Sequence, residues 1–458
     1  MKVTRNMTEG NTYKNFLVFS IPLILSSLLS QAYSTIDAMI AGKFISEHAL
    51  GAISATGSYE VVFQSLFNGF AAGFGIYIAQ MFGKGDHAAI KRDTLNMSVI
   101  IASSSFIISV ISIIFRAPIF NYLNVDPILR ADAETYFVIY TMGYVLSYLN
   151  LLLLQTLYAL GITSFSLYVS FVGAAVKIVG NLLSVLVFDL GIAGLAFFSI
   201  VSSASVTFFY LMMLRRAFKE LKSEKEPYRF SFACVRNSFR YTFPTAVQQL
   251  AFHGVSLIIA PTINALGAAA TTGYNVANRL YLLGTQPLWC VTNAFAYYTA
   301  QCAGKRDYAK IRYGLKVGFI MNSVILLPFV LAVMIFAPQI TSMFFPSGYT
   351  GEAYEYAFRY AIIYLPFVYV QLVGHILHAY MRSLGRVNTV FGITIFGSII
   401  RIVSTILLVR NMHIEGAYIG QIISWVGDAI VSVVIVMLFF RTVEHIKRVV
   451  EDVNKKRN

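Results

Sequence analysis

Nine ionisable side chains interrupt the long apolar stretches of this chain: Asp37, Glu60, Lys177, Arg279, Arg401 and Asp428, with His253, His375 and His378. Within a bilayer such groups are expensive unless paired or hydrated, so each marks a candidate functional site. Asp37 leads them. It follows Pro22 by fifteen residues, and proline weakens a helix, so the segment carrying both can bend as the carboxylate gains or loses a proton. The competing reading leaves Asp37 near a helix end, facing water beside Lys43. Asn181 stands one turn beyond Lys177, so both face the same way. Further polar groups are Gln248, Gln249 and His253 in one segment and Gln371, His375 and His378 in another. His375 and His378 share a helix face and could shuttle protons; ordinary hydrogen bonding between helices is the bland alternative. Two histidines without a third ligand make a poor zinc site, and no metal or other cofactor is expected.

The elements that position these residues follow from composition. Of 458 residues, 57% are hydrophobic and 12% charged, and the mean hydropathy is +0.68, whereas soluble chains carry about 25% charged residues. Val99–Phe115 and Val317–Ala337 contain no charge, and Val169–Val187 only Lys177. Runs approaching the ~20 residues of a bilayer span, continuous rather than alternating, predict transmembrane helices and not a barrel. Polar breaks place spans near 16–42, 52–78, 94–115, 133–158, 166–188 and 192–214, then 241–263, 273–301, 317–336, 360–380, 389–409 and 416–440. The first span is too long for a cleaved signal. With the N-terminus inside, 27 of the 35 Lys and Arg fall in inside segments, five outside and three within spans. That bias predicts a multi-pass protein of the cell (inner) membrane with both termini cytoplasmic. The net charge of +14 is thus a topology signal in contact with lipid, and no nucleic-acid partner is expected. Cys234, Cys290 and Cys302 show no metal spacing and make no case for disulfides.

The chain repeats itself. Ala79-Gln80-Met81-Phe82-Gly83-Lys84-Gly85-Asp86-His87-Ala88-Ala89-Ile90-Lys91 matches Ala300-Gln301-Cys302-Ala303-Gly304-Lys305-Arg306-Asp307-Tyr308-Ala309-Lys310-Ile311-Arg312 at seven of thirteen positions, offset by 221. Nearly the same offset pairs Pro22 with Pro244, Ala117-Pro118 with Ala337-Pro338, Leu160-Gly161 with Leu384-Gly385, Lys177 with Arg401, and Gly194 with Gly416. Two six-helix halves in the same orientation follow, related by an axis along the membrane normal, as in one class of secondary transporter. The expected domains are an N-terminal lobe (1–214), a basic cytoplasmic linker (215–240), a C-terminal lobe (241–440) and a basic cytoplasmic tail (441–458).

In order and spacing these residues resemble the multidrug and toxic compound extrusion (MATE) transporter family, whose superfamily also holds lipid-linked saccharide flippases. The resemblance spans nearly the whole chain. It rests on Pro22, Ile36-Asp37, the Ala-Gln-x-x-Gly signatures at 79–83 and 300–304, and Leu190-Gly191-Ile192-Ala193-Gly194. It implies an all-α membrane protein of about twelve helices in two pseudo-twofold lobes arranged as a V. The implied activity is drug efflux driven by exchange for H⁺ or Na⁺, with the first-span Asp37 in ion coupling. By the same resemblance the N-lobe ion site draws on Lys177, Asn181 and Ser199, where Lys177 departs from the family's neutral or acidic residue. Its ammonium would occupy the place of a bound cation, and either exchanges its own proton or points at a substrate. The C-lobe carboxylates that some members use for Na⁺ are missing, which shifts the expected coupling ion toward H⁺.

The expected substrate cavity takes in Lys177, Arg401, Glu60, Gln249, His253, Gln371, His375 and His378. Basic groups at repeat-related positions 177 and 401 would face one another across a cleft and favour anionic or zwitterionic small molecules, or an anionic lipid-linked saccharide as in a flippase. The alternative makes them structural ion pairs with Glu60 or Asp428. A nucleotide-driven pump is disfavoured because Gly42-Lys43-Phe44 and Gly83-Lys84-Gly85 lack the P-loop Ser or Thr. Neither H-E-x-x-H nor G-x-S-x-G occurs, so a membrane-embedded enzyme is a remote alternative. One chain holding both halves is expected to act as a monomer.

Overall fold

The computed structural model describes residues 4–45, 47–123, 125–221, 230–345 and 348–457, with side chains except at 34, 35, 38, 42, 43, 47, 48, 50, 54, 55, 58 and 440–457. Lys43, the neighbour considered for Asp37, thus has no described side chain. Part of the expected linker (222–229) and the side chains of the tail (441–458) also lie outside the described residues.

Regular structure among the described residues is all helical. The first repeat runs through α1 (Thr12–Ile40), α2 (Glu47–Lys84), α3 (His87–Ile114), α4 (Arg116–Tyr122), α5 (Pro127–Met142), α6 (Tyr144–Ala159), α7 (Ser164–Leu186) and α8 (Gly191–Glu220). The second follows with α9 (Phe232–Asn264), α10 (Ala268–Gly304), α11 (Tyr308–Ile335), α12 (Ala337–Ser342), α13 (Glu352–Arg359), α14 (Val368–Ser383) and α15 (Val387–Arg457). Even the short α4 has its counterpart in α12. Among the described residues nine helices are long and apolar enough to cross a membrane, and α5 with α6, bent by 46°, makes a tenth.

Among the described residues the last of these stretches adds one further crossing. The 53-residue apolar stretch Val387–Phe439 breaks at His413 (φ 52, ψ −137), so it is two crossings and not one. In the register that pairs Gly194 with Gly416, His413 is the repeat partner of Gly191 (φ 54), at the start of α8. Helix α10, partner of α2, has the length at 37 residues, but its polar residues dilute its apolarity. Two features depart from plain helical spans. The fourth crossing bends at Gly143 between α5 and α6, and its counterpart between α13 and α14 is a π turn (Tyr360–Tyr364) followed by a 3₁₀ turn (Leu365–Phe367) containing Pro366.

The duplication extends to single atoms. Ser202 Oγ donates to the Gly173 carbonyl at 2.8 Å, and Ser424 Oγ to the Gly397 carbonyl at 2.8 Å. Asp86 caps α3 through the Ala89 amide at 3.1 Å, and Asp307 accepts from the Lys310 amide at 3.1 Å. That amide holds the Asp307 carboxyl below its ordinary range. Gly85 (φ 77) and Arg306 (φ 58) take the same left-handed turn.

By packing, the chain forms two compact units: Met1–Leu250 with Ala296–Gly314, and Ala251–Phe295 with Leu315–Asn458. These units cut across the sequence halves because the second signature segment packs with the first. A side chain at Gly83 would strike the Gln301 carbonyl, and one at Gly304 the Gln80 carbonyl. This reciprocal contact is that of a local twofold. The signature glutamines are pinned as well: Gln301 accepts from the Met7 amide and donates to the Ala159 carbonyl, both at 2.9 Å, and Gln80 accepts from Tyr241 Oη at 3.0 Å. Away from these seams, large apolar side chains such as Phe106, Ile114 and Phe208 point outward, where lipid covers them.

Overpacking costs about 1–3 kcal/mol, so Gly83→Ala is expected to lower the apparent melting temperature of detergent-purified protein by several degrees. Gly392→Ala, whose new methyl meets nothing within 4 Å, should leave it unchanged. Equal melting of both variants in a thermal-shift assay would refute the reciprocal seam.

Candidate functional site

The first unit contains a cavity of about 330 Å³ lined by residues of α1, α2 and α5 to α8. Its charged residues are Glu60 and Lys177, and its walls are tyrosines (Tyr33, Tyr140, Tyr144, Tyr148) and serines, including Ser199. Lys177 rises from α7, with its ammonium 5.6 Å from the centroid of the Tyr33 ring. It forms an ion pair with Asp37 Oδ2 in which both side chains are 21% exposed. The other carboxylate oxygen accepts a 2.9 Å hydrogen bond from Asn181 Nδ2. Asn181 is itself buried, and its Oδ1 has no partner among the described residues.

Local sequence explains this placement. Pro22 has no N–H for the Val18 carbonyl, and Thr163 at the start of α7 approaches that carbonyl at 3.5 Å. Gly180 admits the Phe198 ring and Gly173 admits Val206, so α7 and α8 pack closely enough to set Lys177 and Asn181 toward α1. Just past Asp37 the helix widens into a π turn, Ala41–Ile45. Such turns recur at functional sites.

Glu60 lies opposite, accepting a 2.6 Å hydrogen bond from Tyr140 Oη. Tyr140 stacks on Tyr136 at 5.3 Å and meets Tyr144 at 6.0 Å. Sequence reasoning named Glu60 and missed Tyr140, although Tyr136, Tyr140, Tyr144 and Tyr148 recur every four residues, a legible stripe on one helix face. Of the four expected ion-coupling residues, Asp37, Lys177 and Asn181 converge. Ser199 lines the cavity while its hydroxyl donates to the Leu195 carbonyl at 2.9 Å. Gln249 is half-buried in α9.

In the second unit, Gln371 Nε2 donates to Tyr281 Oη at 2.7 Å and sits 3.0 Å from His375 Nε2. The His375 ring packs edge-on against Trp289 at 4.3 Å and lies 6.5 Å from His378. His378 Nε2 is 3.3 Å from Asp428 Oδ1. Asp428 lies against Gly374, where any side chain would displace it, and beside Gly397 at ordinary contact distance. His253 is exposed beside Phe252. Arg401 Nη2 reaches Tyr274 Oη at 3.4 Å. The ion pairs weighed from sequence are therefore reassigned: Lys177 is held by Asp37 and not by Glu60, and Asp428 faces His378 and not Arg401. Lys177 is nearer to Asp37 because the turn carrying Asn181 turns it toward α1. Arg279 lies 5.8 Å from the Phe344 ring centroid.

Comparison with known proteins places this arrangement. The MatE family model matches residues 22–183 and 244–407. A probable multidrug resistance protein of Bacillus subtilis, YoeA, is 22% identical over 440 residues, covering 91% of this chain and 92% of its own. The multidrug export protein MepA of Staphylococcus saprophyticus is 23% identical over 284 residues, 59% of this chain and 60% of its own. A MATE crystal structure in complex with MaD3S superposes with a TM-score of 0.85 at 16% identity, covering 98% of this chain and all of that one. The crystal structure of a mutant of the Vibrio cholerae MATE transporter VcmN superposes at 0.86 with 14% identity, covering 94% and 97%. With both halves of the chain matched in turn, this protein belongs to the MatE family of multidrug efflux transporters.

Proposed function

We propose that this protein is a secondary active, cation-coupled antiporter that exports small organic molecules by alternating access, with H⁺ as the coupling ion and Na⁺ as the alternative. The observation that carries this reading is the Asp37–Lys177 pair beside a polar cavity that also holds Glu60. A proton reaching Asp37 cancels its charge and frees the Lys177 ammonium. Asn181, whose Oδ1 is unused, can turn its amide to accept the new carboxylic proton. The released ammonium then has one carboxylate to turn to in the cavity, Glu60. A cationic substrate held by Glu60 and the tyrosine faces is displaced by that competitor, so proton uptake drives release. With Asp37, Lys177 and Glu60 all ionised the group carries one net negative charge, which suits an organic cation seated against aromatic rings.

This reading replaces the anion preference drawn from sequence. Lys177 is neutralised by Asp37, which also removes the support it lent to a saccharide flippase. The charge bias of the loops supports cytoplasmic termini, and one chain carrying both repeats supports a single-chain transport unit in the bilayer.

Uptake of a cationic dye into proteoliposomes under separately imposed H⁺ and Na⁺ gradients tests the coupling. An inward-directed cation exchange should follow the H⁺ gradient and fall more than tenfold in Asp37→Asn; full transport in that variant would sink the coupling role. Lys177→Met, lacking the internal competitor, should keep dye bound at acidic pH where the wild type releases it. Glu60→Gln should weaken binding of a cationic dye about tenfold, the scale of one charge-assisted contact, while leaving a neutral dye unaffected. Equal losses for both dyes would point to a structural role.

A further inference from the structure

We propose that the second compact unit carries an oxyanion site at Arg401 that takes the carboxylate of a small organic acid. Arg401 is the repeat partner of Lys177, but its surroundings differ in one decisive respect. The register that pairs Pro22 with Pro244 puts Ile259 where the first repeat has Asp37. The four described carboxylates of this unit are all elsewhere. Glu415 pairs with Arg359 at 2.5 Å, Asp428 faces His378, and Glu352 and Glu355 are exposed in the first turn of α13. Among the described residues, Arg401 therefore has no counter-charge.

The polar groups around it are incompletely used. Arg401 Nε is buried without a hydrogen-bond acceptor, and Nη2 makes only the 3.4 Å approach to Tyr274 Oη. Nε and one Nη form the edge of the guanidinium that grips a carboxylate with two parallel hydrogen bonds. Tyr360, 3% exposed and near enough to Arg401 to feel its charge, has a hydroxyl without a partner among the described residues and offers a third donor. Flat rings complete the setting: Tyr274 stacks on Tyr418 at 6.1 Å, and Tyr281 on Trp425 at 5.8 Å. A half-buried cation whose buried Nε is unanswered is costly, and an anion supplied from solution reduces that cost. Arg401 lies fourteen residues beyond the start of α15, about 20 Å along the axis, which places it beyond reach of lipid headgroup phosphates and selects a diffusible ligand.

Calorimetric titration of the detergent-purified full chain with sodium benzoate at fixed ionic strength tests the site. The wild type is expected to give a saturable isotherm that Arg401→Gln abolishes. Arg401→Lys, which keeps the charge without the fork, should weaken it about tenfold, Tyr360→Phe severalfold, and the exposed Arg410→Gln not at all. Size-exclusion profiles confirm that each variant is folded, and Arg401→Lys and Tyr360→Phe decide the matter if Arg401→Gln is not. Absence of saturable binding in the wild type, or unchanged affinity in the folded variants, overturns the site. Chloride or inorganic phosphate binding there while benzoate neither binds nor displaces it overturns the carboxylate assignment. Dye efflux through Asp37 in the other unit is a separate readout, so either reading can fail while the other stands.

Discussion

A lysine and an aspartate inside an apolar bundle tolerate one another and little else. Removing one partner from such a pair strands the other charge and costs about 3–5 kcal/mol. The Asp37–Lys177 contact is therefore the bond that makes both residues admissible, and it ties α1 to α7. It also sets a rule for any motion that separates those helices. The pair can open only when another charge arrives, either a proton or metal cation on Asp37 or an anion on Lys177. Under the proposed antiport, such a rule would supply coupling without a dedicated gate, because electroneutrality disfavours the uncompensated intermediate.

The surrounding packing allows the pair to open. Pro22 weakens the middle of α1, the π turn Ala41–Ile45 follows Asp37, and the carbonyl freed by the proline is met only at 3.5 Å by Thr163. Against this pliable helix stands a rigid seam. Gly173 and Gly180 lock α7 onto α8, and the reciprocal glycines Gly83 and Gly304 join the signature segments of the two repeats. The carboxylate thus sits on a soft helix and the lysine on a stiff pair, the division that the proposed proton coupling requires.

Much of the fold was legible in the sequence because its signals are physical and repeated. Span length follows from bilayer thickness, and a two-copy offset aligns prolines, glycines and charges at once. The break at His413 could be placed because the offset maps it onto Gly191 at the start of α8, although position 413 itself is neither glycine nor proline. The bend at Gly143 and the π and 3₁₀ turns before α14 escaped notice, since apolar runs report length and not straightness. The site was half legible. Helical spacing put Lys177 and Asn181 on one face, and the resemblance to the MATE family joined them to Asp37. The pairing of Asp428 with His378 could not, because it depends on Gly374 leaving room on a neighbouring helix, and one-dimensional spacing holds no such information. The tyrosine stripe beside Glu60 was visible and passed over, as aromatic residues are plentiful in membrane proteins.

The two repeats share a backbone and differ in how their charges are answered. In the first, the basic residue of the fifth crossing meets a carboxylate from α1. In the second, the same register offers Ile259, and Arg401 stands among tyrosines while the half-buried carboxylate of Asp428 faces a histidine instead. Duplication alone would have produced two equivalent sites and a symmetric transporter with no preferred coupling element. Replacing the carboxylate in one copy removes its internal partner without changing the helix packing, as the identical Ser202 and Ser424 hydrogen bonds attest. The fold thus tolerates divergence at charged positions because the seams that hold it are built from glycine, serine and backbone carbonyls. The chemistry of each copy is free to specialise while the frame is kept.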